Sequence, residues 1–181
     1  MYFQVISRCV QAVRDVEGFL DKAEAHAAAK GLDVGTLLAG RLAPDMGNLV
    51  YQVQSACDYL KGGAAWLSGQ APPRHPDDER TVDELRARIR KTVAFAEGVE
   101  AWRYEGAGER RVSIGWAGGK TLEGERYLLQ MVVPNVFFHV AMAYAILRHM
   151  GVDVGKLDFL GAIAWDGPSD PVPVAVSEGA P

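Results

Sequence analysis

The chain has 181 residues, enough for one domain with a sizeable core. Hydrophobic residues make up 49% and charged residues 23%, the balance of a globular chain rather than a disordered one. The formal net charge of -4 argues against nucleic acid or an anionic membrane surface as a partner, because both select basic patches.

In chain order, the first helix is predicted from about Tyr2 to Lys30. Tyr2, Ile6, Cys9, Val13, Val16 and Leu20 form its apolar stripe, and Gly31 is a left-handed stop. Glu17 and Glu24 lie at the stripe's edge. Asp33 to Leu38 forms a short helical turn within a linker. Pro44 and Asp45 together mark the start of a second helix, which runs from about Asp45 to Ser68 and stops at Gly69. Its core stripe includes Leu49, Val53, Cys57, Leu60 and Ala64. One polar row beside the stripe holds Asp45, Gln52 and Tyr59, and another holds Gln54, Asp58 and Lys61. Cys9 and Cys57 both project on apolar faces and read as small buried hydrophobes in a reducing compartment.

Gln70 to Arg80 is a Pro-rich charged loop in which His75 is expected to be exposed. Thr81 to Glu84 has the spacing of a capping box and opens a third helix that ends near Gly98. The RARIRK run, Arg86 to Lys91, reads as a solvated face of that helix. The hydrophobic period then changes from 3.6 to 2. Val112, Ile114 and Trp116 alternate with polar or small residues, Ala117 to Lys120 can turn, and Thr121 to Glu123 return, which predicts a short β-hairpin.

A fourth helix is predicted from about Gly124 to Gly151, kinked by Pro134, which has no N–H to donate. Its apolar stretch, Val132 to Leu147, is interrupted by Asn135 and His139, so no membrane span is expected. The N-terminus lacks the basic-then-apolar pattern of a secretory leader, so the expected location is cytoplasmic. The expected domain is 1–161, with 162–181 a flexible Pro-rich tail. Phe19, Phe95, Phe137 and Phe138 fall off the core stripes, which makes a homodimer the expected assembly.

His139 is the candidate site residue. It shares a helix face with Leu128, Val132, Val136, Ala143 and Ile146, and Asn135 stands one turn earlier. A histidine aimed at a core is either a hydrogen-bonded post, the polar anchor of a small-molecule pocket, or a metal ligand. Gln52, Gln54 and Asp58 on the second helix are its candidate partners, with Asp58 able to orient it as a general base. No G-x-S-x-G, phosphate loop, C-x-x-C or H-E-x-x-H is present.

The segments Leu37 to Met46, Gln52 to Gly62, Pro134 to Val152 and Gly155 to Gly161 resemble a family of uncharacterised bacterial and fungal proteins within the DinB/YfiT-like superfamily. The resemblance implies an all-α four-helix bundle with a short β-hairpin between the third and fourth helices, often dimeric. Many superfamily members hold a divalent metal through three histidines, one on the second helix and two in an H-x-x-x-H pair on the last. Some use it in thiol-dependent transfer or isomerisation, and others resemble hydrolases. Here His139 matches the first histidine of the pair, Ala143 occupies the second position, and the second helix has no histidine. His26, His75 and His149 lie elsewhere. No metal or other cofactor is therefore expected, His139 being the only candidate ligand. The expected function is a non-catalytic small-molecule-binding or dimerisation module. The alternative is a zinc- or nickel-dependent or thiol-dependent transferase or hydrolase with an altered site centred on His139.

Overall fold

The computed structural model describes residues 1–167. Of the expected flexible tail, only 162–167 fall within that range, and they carry neither helix nor strand. Helix α1 spans Tyr2–Lys30, α2 Val34–Leu38, α3 Leu49–Leu67 and α4 Val82–Glu97. Strands β1, Arg111–Ser113, and β2, Thr121–Glu123, precede the long helix α5, Gly124–His149, and the short α6, Lys156–Leu160.

Local chemistry sets the ends of these elements. Gly31 stops α1 in the left-handed region, at φ 64°, where its N–H reaches the carbonyls of Ala27 and Ala28. At the start of α4, the Glu84 N–H donates to Thr81 Oγ1 at 3.2 Å and the Thr81 N–H donates to Glu84 Oε2 at 2.9 Å, the reciprocal capping box. Helix α3 begins later than Pro44 and Asp45 imply. Residues 43–46 close a turn of their own, the Met46 N–H donating to Ala43 O, and Asn48 caps the helix by accepting from the Tyr51 N–H at 3.0 Å.

The hairpin pairs Val112 with Leu122, and Gly118 and Gly119 turn it with φ of 62° and 80°. Trp116 does not continue the strand alternation. It lies in a helical turn, Gly115–Ala117, and is 78% exposed. In α5 the expected distortion at Pro134 takes the form of a π turn, Leu128–Val132. The Val133 N–H reaches back to Leu128 O, so the wide turn is completed just before the residue that has no N–H.

The four long helices pack with α3 between α4 and α5, and with α1 against all three, while α4 and α5 scarcely touch. Their stripes of Ile, Leu, Val and Ala form a continuous core. Each fully buried Leu, Val or Ile side chain contributes about 1.5–3 kcal/mol relative to exposure. Gly63 sets the approach of α3 to α5, since a Cβ there would stand 2.6 Å from Val132 Cγ1. By length and mean hydropathy α5 is apolar enough to cross a membrane, despite the interrupting Asn135 and His139. In this fold its inner face is used on α1 and α3. Of the four phenylalanines expected off the core, Phe19 is fully buried, Phe95 and Phe137 are partly buried, and Phe138 is half-exposed. Phe19 packs edge-on against Tyr144 inside the core and offers nothing to an interface.

Candidate functional site

His139 is buried on the inner face of α5, as its place in the stripe predicts. Gln52, one turn into α3, faces it, with His139 Nδ1 and Gln52 Oε1 2.8 Å apart. The Gln52 amide nitrogen donates to the Gly47 carbonyl at 2.9 Å, so its oxygen is the atom turned toward the ring. A neutral imidazole in that position carries its proton on Nδ1 and donates it to Gln52. Burial disfavours the charged ring and pulls its pKa below the ordinary imidazole value. The ring is held by aromatic neighbours. Tyr59 stacks on it with centroids 5.7 Å apart, and Tyr51 and Phe138 meet it edge-on at 6.0 and 5.2 Å.

These surroundings do not fit the three-histidine metal that the resemblance implies. They offer one imidazole, an amide oxygen already bonded to it, and aromatic rings. Ala143 leaves the i+4 position on the His139 face without a ligand. Among the described residues, no group of three His, Cys, Asp or Glu stands close enough to share an ion.

The other expected partners of His139 lie elsewhere. Asn135 turns back along its own helix and donates from Nδ2 to Met131 O at 2.6 Å. Gln54 and Asp58 face α4 and join a second cluster around Arg88. This arginine is wholly buried, against the expectation of a solvated RARIRK face. Its Nη2 donates to Asp58 Oδ1 at 2.7 Å and to Asp77 Oδ1 at 2.9 Å. Its Nη1 donates to Glu79 Oε1 at 3.1 Å and to Pro76 O at 2.8 Å. Gln54 Nε2 donates to Glu79 Oε2 at 2.9 Å, and Lys61 Nζ donates to Asp58 Oδ1 at 2.7 Å.

The flanking arginines of the run reach across to α1, the mostly covered Arg86 to Asp21 and Glu24 and the exposed Arg90 to Glu17. Sequence reasoning missed Arg88, although a signal was present. Arg88 follows Leu85 by three residues and precedes Thr92 by four, so it lies on the buried stripe of α4. His75 is half-buried instead of exposed, with Nδ1 3.5 Å from Thr92 Oγ1.

Between these two polar centres the surface opens into a cleft of about 530 Å³, within the range of small-molecule sites. Tyr51, Tyr59, Trp66, Trp116 and Tyr127 line it. Tyr51 and Tyr59 are the same rings that hold His139, so the buried His139–Gln52 pair supports the cleft wall from behind. Gly62 keeps the floor open: a Cβ there would come within 3.2 Å of the Tyr127 hydroxyl. The five aromatics come from α3, the hairpin and α5, and no local sequence pattern joins them. Burial pushes the thiols of Cys9 and Cys57 up to about 12, so neither supplies a thiolate near neutral pH.

The sequence profile of a family described as "Domain of unknown function (DUF1993)" matches residues 1–160. Among solved structures, the chain is similar to the crystal structure of a DinB family member protein from Shewanella denitrificans. The two are 39% identical, with 92% of this chain and 95% of that chain covered and a TM-score of 0.88. No curated protein matches the chain.

Proposed function

From the premise that the chain belongs to the DUF1993 family and has the DinB-like fold, we propose that it is a non-catalytic small-molecule-binding module whose bundle has lost the metal site of its superfamily. The observation that carries this reading is the poverty of ligands around His139: Nδ1 donates to Gln52 Oε1 at 2.8 Å and leaves Nε2 free, but among the described residues no group of three His, Cys, Asp or Glu could share an ion with it. The aromatic cleft in front of that pair is then the binding site, and His139 is a positioning residue behind its wall. Asp58 serves the Arg88 cluster and is not an orienting base for His139. The cleft also favours ligand binding over dimerisation as the module's role, because its volume is that of a small-molecule site.

The test joins stability to binding. His139→Leu removes the donor and leaves the Gln52 oxygen buried without a partner, so it should cost about 1–3 kcal/mol in equilibrium denaturation. The wild-type protein should also show a pH component that the variant lacks. The folded pKa of His139 lies below its unfolded value, so the unfolded chain binds the extra proton. The stability tied to the neutral ring is therefore fully present above about pH 6.5. It falls as the pH drops toward the lower folded-state value. In a melting-temperature screen, compounds that stabilise the wild type should fail on Trp66→Ala and should be indifferent to a chelator. Chelator-sensitive turnover that is lost in His139→Ala would overturn the reading.

A further inference from the structure

Resting on the ligand-binding reading above, we propose that the cleft takes a small organic cation with an alkylated ammonium head. Two independent features point to that chemistry. The first is the aromatic wall. Tyr59, Trp66, Trp116 and Tyr127 surround the opening, and the faces of such rings carry the negative side of a quadrupole that attracts an ammonium group. An alkylated head suits an aromatic wall, because it has apolar surface to bury and few or no N–H groups to satisfy.

The second feature is the direction in which the charged cluster faces. Asp58 and Asp77 both line the cleft. Each is bonded through Oδ1 alone: Asp58 Oδ1 accepts from Arg88 and Lys61, and Asp77 Oδ1 accepts from Arg88. Neither Oδ2 accepts a hydrogen bond from any described residue, and the two side chains are 42% and 59% exposed. Of the two cations, Arg88 lies behind them and Lys61 lines the cleft beside Asp58. The Arg88 side chain is fully buried, and that of Lys61 is 9% exposed with its ammonium 2.7 Å from Asp58 Oδ1. The side chains that line the cleft thus carry two carboxylates against one ammonium, and that ammonium is already paired with Asp58. The net negative lining favours a cationic ligand over an anionic one.

The experiment titrates the protein with choline chloride, reading tryptophan fluorescence and heat, with sodium chloride holding ionic strength constant. A parallel titration uses the uncharged isostere in which carbon replaces the quaternary nitrogen. Saturable binding of choline, at least about tenfold tighter than the isostere, is the expected result. Trp116→Ala should weaken it roughly two- to thirty-fold, the range expected for loss of one cation–π contact. That residue is 78% exposed, so its loss should leave the fold intact, as circular dichroism would check. Asp77→Asn keeps an oxygen for Arg88 but removes the charge, and it should weaken choline without weakening the isostere. Equal binding of the isostere, binding that survives both variants, or no saturation with choline would overturn the proposal. If choline fails while benzoate stabilises the wild type and not Trp66→Ala, only the cation assignment falls. If no compound in the melting-temperature screen binds, the ligand-binding reading falls with it.

Discussion

Replacing Arg88 with methionine should destabilise the protein by roughly 3–5 kcal/mol, the cost of breaking a buried ion pair from one side. The arginine side chain is fully buried and the Glu79 side chain is only 4% exposed, so the substitution leaves a carboxylate in the interior with Gln54 at 2.9 Å and the half-exposed Lys91 at 3.7 Å as its remaining partners. Asp58 and Asp77 are far more exposed and can turn to water, so most of the loss is assigned to Glu79. Adding Glu79→Gln to Arg88→Met should recover part of the stability, because the orphaned charge is gone. Urea denaturation of the two single variants and the double variant measures the coupling. Additive losses would show that the pair does not act as a unit.

The same cluster predicts how the protein responds to acid. Burial tends to raise the Glu79 pKa, but the hydrogen bonds from Gln54 and Arg88 and the Arg88 charge outweigh it and hold the carboxyl below its usual range. The stabilisation is therefore present above about pH 4.3, the unfolded value, and is lost as the pH falls toward the folded value. Arg88→Met should flatten that acid limb.

The second large effect is a gain. Gln52→His together with Ala143→His should create a three-histidine site with His139 that binds about one zinc or nickel ion per chain. Gln52 already places its side-chain oxygen 2.8 Å from His139, so a histidine there is within reach of a shared ion. Ala143 is buried on the same face of α5, four residues on, where a second imidazole converges with the first. Filling that position strains the core by about 1–3 kcal/mol. At a metal concentration of 1,000 Kd, binding adds about 4 kcal/mol. The double variant should thus melt lower than wild type in chelator and recover in zinc, while the wild type ignores zinc. A folded double variant that acquires no metal would show that something besides the missing ligands closes the site.

What the sequence made legible follows the range of the interactions involved. Gly31, the Thr81–Glu84 box and the change of period at Val112 are local signals, and the elements they predict are present. Helix α3 starts at Leu49 and not at Asp45 because the chain spends Ala43 to Met46 on a turn, a choice between two acceptable caps that tertiary contacts decide. The inward aim of His139 was legible from its stripe. Its partner was legible only as a shortlist, since Gln52, Gln54 and Asp58 lie within two turns of one helix. Small rotations of α3 decide which of them faces α5 and which faces α4. Arg88 and Glu79 come from the run and the loop that composition alone marks as solvated, and they are buried together as a hydrogen-bonded ion pair that local sequence does not announce.

The central claim is that His139 is a neutral structural imidazole and not a metal ligand. Long-range proton–nitrogen NMR of the ring tests it most directly. The account predicts a protonated Nδ1 and an unprotonated Nε2 at neutral pH, a midpoint of titration below 6.5, and resonances that do not move when one equivalent of zinc or nickel is added to protein purified without an affinity tag. An Nε2 signal displaced stoichiometrically by the metal, or a ring that is already charged at pH 7, would contradict it.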